Sequence, residues 1–371
     1  MRRFLARRFL ALALLVALVG CAPSEAGQAP ARTAPPAAST AAPAEDSSPT
    51  ATDDAGGATR LTLGEPIRSG PVTLYPVVDR EVPARPKGDF QLLPEALDAK
   101  TLTVSEQDSS GSVPTLRITN SGSKPVLLVA GDVVQGGKQD RILVADVVVP
   151  AGAKDQDIAV NCVEHGRWQQ GDTGARFGYG GRGEAGLKKV VQTAKSQGKT
   201  WEAVAALNAS KGRVVEASAE LSPATGTYMA SLRSERVQAQ MEPAVAELTQ
   251  GLDGVKDVVG VVLSVGGEIV SAELFGHPTL FARSREDLVR SFVLDAVSAD
   301  AAPAAAPPAA EASSFLRDAM AGRAVSEEAA GAATKTEKEG RKSRGFELKD
   351  ADGKLLHLNV YAESEEERAA R

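Results

Sequence analysis

Short β-branched runs bounded by Gly, Ser and Pro constrain this chain more than any other feature. Val72–Val78, Thr101–Glu106, Thr115–Asn120 and Val126–Ala130 are too short for ordinary helices, and turn formers stop each of them. They predict strands. Ser121-Gly122-Ser123 predicts a turn joining two of them into a hairpin, and Ile142–Val149 and Asp157–Val163 extend the β-rich half. The glycine-laden stretch Gly171 to Gly186 predicts a mobile loop.

The apolar period then changes. Leu187, Val190, Val191 and Ala194 recur at helical spacing, as do Val237, Met241, Ala244, Val245 and Leu248. Val258–Val265 and Ile269–Leu274 flank Gly266-Gly267, a strong hairpin signal. Ser284 and Asp287 form a capping pair that predicts a helix start before Val289, Phe292, Val293 and Ala296. A last hairpin is expected around Asp352-Gly353. The expected fold class is α+β, with a β-rich N-terminal half, helices in the middle and closing hairpins in one main domain.

Other stretches have little to bury. Residues 21–60 are Ala, Pro, Ser, Thr and Gly with almost nothing large and apolar. Such a stretch cannot offset its ordering entropy and is expected to be a disordered tether, on the order of 35 Å from end to end. Residues 299–344, Ala/Pro-rich and then small and charged, are expected to be a disordered linker or insertion. The expected organisation is therefore a main domain over 61–298, that linker, a hairpin over 345–361 packing on the domain, and an acidic tail over 362–371.

The first twenty residues predict an export signal. Arg2, Arg3, Arg7 and Arg8 precede the apolar run Phe9–Val19, which ends in Leu18-Val19-Gly20-Cys21. The run is shorter than the roughly 18 residues of a spanning helix. Its end resembles the lipobox of bacterial lipoproteins, in which the signal is cut before a cysteine that is then acylated. Each buried methylene contributes about 0.8 kcal/mol, so two or more chains on Cys21 would anchor the protein firmly. Ala22, rather than Asp, is similar to the pattern that permits sorting to the outer membrane. The expected location is the periplasmic face of that membrane.

Composition excludes several functions. Aromatics are 4% of residues and the formal charge is −6, with no basic stripe, so neither a base-stacking platform nor a nucleic-acid partner is expected. There is no Gly-x-Ser-x-Gly, no His-Glu-x-x-His and no Walker spacing, since Asp132 and Gln139 occupy the positions that pattern needs. Three scattered histidines and one cysteine besides Cys21 argue against a metal site, and no cofactor is expected.

Chemistry concentrates at two corners, each following a predicted strand. One is Gly136-Gly137-Lys138-Gln139-Asp140-Arg141; the other is Cys162-Val163-Glu164-His165-Gly166-Arg167-Trp168. Glycines allow close backbone approach, and Lys138, Arg141 and Arg167 could hold an anion. The plain alternative is two tight turns whose charges face water, with Trp168 in the core and Glu164–Arg167 an internal pair. Free cysteines are usually buried, which fits an inert Cys162.

Together the corners resemble the ARG and rhodanese-phosphatase-superfamily-associated domain, whose pattern is Gly-Ala-Lys-Gln-Asn-Arg followed by Cys-Val-Glu, a variable residue and Gly-Arg-Trp. Asp295 within Leu288–Ala296 and the final hairpin with His357-Leu358 also fit that family. Gly137 stands for the usual Ala, Asp140 for Asn, and Phe292 for a frequent Tyr. Asp140 adds a negative charge that would weaken anion binding. The resemblance covers roughly Leu61 to Tyr361 and implies chemistry around NAD or ADP-ribose derivatives, whose pools are chiefly cytoplasmic.

The leading expectation is a membrane-anchored module in which Lys138, Gln139, Arg141, Glu164, Arg167, Trp168 and Asp295 bind a small polar, anionic ligand, nucleotide-like or sugar-phosphate-like. A hydrolase or transferase using Glu164 and Cys162 is one alternative. Cys162 and His165 are three apart on an emerging strand, so their side chains should point to opposite faces. An envelope module that docks another protein is the other alternative.

Overall fold

The computed structural model describes residues 61–81, 89–108, 110–170, 174 and 176–370. The expected signal, Cys21 and the tether lie outside these residues. The architecture is mixed α+β in one domain, as the alternation of periods predicted.

A nine-stranded antiparallel sheet forms the frame. Its order runs Leu61–Leu63, Val72–Asp79, Val258–Val265, Glu268–Phe275, Leu355–Ala362, Ser343–Lys349, Thr334–Glu339, Arg323–Ala329, with Ile67–Ser69 also on Val72–Asp79. Neighbouring side chains point to opposite faces. Leu74, Val261, Leu263 and Phe275 face the helices Glu235–Asp253 and Pro278–Ser298 in the main core. Tyr75, Val77, Val262, Leu274 and Val360 face the helix Ala309–Met320 on the other side.

A six-stranded sheet carries the first corner. Its order is Phe177–Arg182, Asp132–Gly136, Arg141–Leu143, Gln156–Cys162, Thr115–Asn120, Leu102–Ser105. A bridge between Ser105 and Arg176 brings its outer strands together, so the sheet curls nearly into a barrel. Val104, Leu116, Ile118, Val134, Val160 and Phe177 fill it. Val147–Val149, Val126–Leu128 and Gln91–Leu92 make a third, small sheet.

Several local expectations are corrected. Thr115–Asn120 and Val126–Leu128 do not form a hairpin; the first pairs with Gln156–Cys162 and Leu102–Ser105, the second with Val147–Val149. Asn120 decides this, because its side chain bonds Lys124 O, Pro150 O and Gly122 N and turns the chain out of the sheet. The run Ile142–Val149 splits between two sheets for want of a common partner. The expected mobile loop contains the strand Phe177–Arg182, whose glycines suit close pairing with Asp132–Gly136. The helix expected to begin at Ser284 begins at Pro278, capped by His277, whose Nδ1 accepts Thr279 N–H. Ser284 sits two turns in and accepts Arg182 Nη1 at 2.8 Å. The helix Gln197–Val214 was not anticipated.

The largest correction concerns 299–344. The stretch supplies the helix Ala309–Met320 and the strands Arg323–Ala329 and Thr334–Glu339. The helix buries Ala312, Leu316 and Ala319, and its two alanines let it lie close to the sheet. Arg323–Ala329 is the outermost strand, where charge guards against further pairing. Cross-strand pairs Arg323–Glu339 (2.8 Å) and Lys335–Glu328 (3.0 Å) hold it to Thr334–Glu339. The hairpin over 345–361 is likewise part of the frame, since Leu355–Ala362 pairs with Glu268–Phe275. Within the acidic tail, Glu365–Ala369 forms a short capped helix, and Glu367 pairs with Lys189 at 2.6 Å.

Candidate functional site

The two corners lie side by side. Arg141 pairs with Cys162 across neighbouring strands, so the turn 137–140 and the loop that follows Cys162 leave the same end of the curled sheet. Val163 N–H donates to Asp140 O at 3.0 Å and joins them through the backbone.

Arg167 locks the corners together. Its Nε donates to Glu164 at 2.9 Å, Nη1 to Gly137 O (2.8 Å) and Gln169 O (2.9 Å), and Nη2 to Gly136 O (3.3 Å) and Asp140 Oδ1 (3.2 Å). Glu164 also accepts Asp140 N–H at 3.1 Å, and Gln139 Nε2 donates to His165 O at 3.2 Å. The Glu164–Arg167 pair is thus internal, as the plain alternative supposed. Asp140 receives Thr227 Oγ1–H at 2.9 Å, while burial and then the Glu164 charge raise its pKa. Gly166 is required here, because a Cβ would lie 2.7 Å from Ala224 O. Gly137 has φ +49°, and a Cβ there would run into Phe177, which accounts for glycine in this chain.

Arg141 is held differently. It is fully buried, donates from Nη1 to Gln139 O at 2.6 Å, and stands 3.7 Å from Glu106 through Nη2. Its Nε and Nη2, and Glu106 Oε2, have no hydrogen-bond partner among the described residues. Trp168 is 44% exposed and roofs this spot, its ring centroid 5.9 Å from Arg141 Cζ and 5.4 Å from Lys138 Nζ. Trp168 is therefore surface rather than core. Lys138 Nζ donates to Ser110 O at 2.6 Å.

Cys162 is buried, its backbone N–H and C=O are both bonded by the Gln197 amide, and burial pushes its thiol up to about 11 despite the pull of Arg141. His165 packs edge-on against Trp201, the ring centroids 4.4 Å apart. Asp295 does not join the corners. It accepts Ala185 N–H (2.7 Å) and Gly186 N–H (2.9 Å) at the start of the helix Ala185–Ala194. Burial and then the Glu184 charge raise it to about 7.

A second group of ionisable residues, missed in the sequence, ties the two large sheets together. Arg182 Nε donates to Asp132 (2.9 Å) and Nη1 to Glu273 (3.3 Å), Lys188 Nζ bonds Glu273, and His357 lies 2.8 Å from Asp146 and 3.3 Å from Glu273. All six are at most 5% exposed. The one available signal was Glu273, a carboxylate in the middle of an apolar strand. Glu106 was also missed, since a charge at a strand end carries no special signal. Among the described residues no cluster of His, Cys, Asp and Glu could hold a metal.

An α+β frame joined to a curled sheet, with an Arg–Glu–Trp corner at the end of the curled sheet, is the class of domain defined here. The ARG and Rhodanese-Phosphatase-superfamily-associated Protein domain (ARPP-1) model matches residues 60–361, so the chain belongs to that family. Neither a curated protein nor a solved structure matches it.

Proposed function

We propose that this domain binds a small polar, anionic molecule, nucleotide-like or sugar-phosphate-like, at the corner under Trp168. One observation carries the reading: a fully buried guanidinium, paired with Glu106 at 3.7 Å, keeps Nε and Nη2 without a hydrogen bond beneath a half-exposed indole. A buried charged donor left without a hydrogen bond costs roughly 1–3 kcal/mol or more, and oxygens of a bound anion would remove that cost. Lys138 adds a second cation and Trp168 a stacking face. Glu164, Arg167 and Gln139 build the frame around the site, and Asp295 stands outside it.

Trp168 fluorescence in a Trp201→Phe background tests this with inorganic phosphate, ribose 5-phosphate and AMP. Binding of at least one is expected, weakened about tenfold or more in Arg141→Lys, which keeps the charge but loses the fork. Equal binding by Arg141→Lys and the parent, with both folded, would refute it.

We also propose that the protein is exported and anchored in the cell envelope through acylated Cys21, a reading supported by Leu18-Val19-Gly20-Cys21. Feeding cells a clickable palmitate analogue should label the wild type and not Cys21→Ser, which should leave the membrane fraction. Label retained by Cys21→Ser would overturn the anchor.

A further inference from the structure

We propose that a second cleft, independent of the Trp168 corner, binds a small amphipathic carboxylic acid. It has a volume of about 280 Å³ and lies where the curled sheet, the end of the helix Ala185–Ala194 and the last strands of the frame converge. Val144, Val191 and Phe346 line its floor, with Lys195 and Lys335 among its polar walls. The cleft is small by the standard of ligand sites, which run from roughly 300 Å³ upward.

The charges around it do not cancel. Buried Glu337 already accepts Arg344 Nε at 2.7 Å. Lys195 Nζ reaches the same carboxylate at 3.3 Å while its side chain stays 63% exposed. Lys335 pairs with Glu328 at 3.0 Å, and Glu339 with Arg323 at 2.8 Å. Each of these acids therefore has a cation without Lys195, and Lys195 is the surplus charge. It caps the helix at φ +46°, a conformation uncommon outside glycine, so its place is fixed by the backbone.

The other polar walls are occupied. Gln192 Oε1 accepts Tyr361 O–H at 2.6 Å, and Asn161 Nδ2 donates to Thr200 at 2.8 Å. A polyol or nucleotide would find few donors or acceptors left to meet it. A hydrocarbon or aryl body with one carboxylate uses what remains: the apolar floor for the body and Lys195 for the head. The ligand's oxygens displace Lys195 from Glu337, which keeps Arg344, so no buried carboxylate is stranded.

Ligand-observed NMR on the full chain tests this with phenylacetate, isovalerate and octanoate, and with phenylacetamide as a neutral control. At least one acid should bind, the amide and Lys195→Met each weakening binding about fivefold or more, as loss of a charge-assisted bond requires. Ala159 is an exposed residue of the cleft wall, so Ala159→Phe should fill the space and abolish binding at unchanged thermal midpoint. No binding by any acid at millimolar concentration, equal binding of amide and acid, or an unaffected Lys195→Met would overturn the site. So would weakening by Arg141→Lys, which would place the acid under Trp168 instead.

Discussion

Glu273→Ala is expected to destabilise the fold by about 3–5 kcal/mol, the cost of stranding buried charge. Three cations, Lys188, Arg182 and His357, converge on this one carboxylate, and all are at most 5% exposed. Burial works against the Glu273 charge, yet Lys188, His357 and Arg182 outweigh it and hold its pKa well below the usual range. Asp132 and Asp146 can neutralise only part of the charge left behind. Domains of this kind are stable by roughly 5–15 kcal/mol, so the loss would consume much of the margin. Urea unfolding followed by circular dichroism reads the effect. Glu268→Ala, on the same strand but exposed, is the control and should change stability by less than about 0.5 kcal/mol. A Glu273→Ala midpoint matching that control would show the network to be dispensable.

The same network makes stability fall as pH rises, with His357 the main contributor. Burial opposes its charge, but Asp146 and then Glu273 outweigh burial and raise its pKa from 6.5 to about 9. Above 6.5 the unfolded chain loses this proton while the folded chain keeps it. The stabilisation is therefore complete below about pH 6.5 and is lost as pH passes through 9, up to about 3 kcal/mol in all. Asp295 acts with the same sign in a lower window. Raised from 3.8 to about 7, it binds a proton in the folded state that the unfolded chain has released, so stability also declines between those values. Glu273 has the opposite sign, since its depressed pKa removes stability as pH drops below its ordinary value of 4.5. Urea midpoints at pH 6, 7.5 and 9.5 should fall in that order, and His357→Gln should flatten the alkaline limb while lowering the starting value. A midpoint that climbs from pH 6 to 9.5 would contradict the charged state assigned to His357.

The candidate site was legible as far as adjacency. Strand–corner–strand spacing around Gly136–Arg141 and Cys162–Trp168 sufficed to expect two neighbouring loops with Lys138, Gln139, Arg141, Glu164, Arg167 and Trp168. Their division of labour was not legible. Arg167 and Arg141 look alike in sequence, but one is spent on backbone carbonyls and two carboxylates, while the other, beside Glu106, keeps two nitrogens without a hydrogen bond. Asp295 shows a different failure, since a carboxylate that caps a helix start reads the same as one that meets a ligand.

By itself the sequence determined which runs would be strands and which helices wherever the period was strong, because burial of one face writes 2.0 or 3.6 directly into residue order. It also determined that both corners would carry glycine and charge. Tertiary structure alone decided that Arg323–Ala329 and Thr334–Glu339 are strands at all. Such charged segments bury little of their own, and their order comes from hydrogen bonds and ion pairs to the adjoining strands of a meander, which joins the frame where Leu355–Ala362 pairs with Glu268–Phe275 far back in the chain. Tertiary structure also decided that Asp132, Asp146, Arg182, Lys188, Glu273 and His357 would meet, since a charge is tolerated inside a protein only when long-range folding delivers its counter-charge.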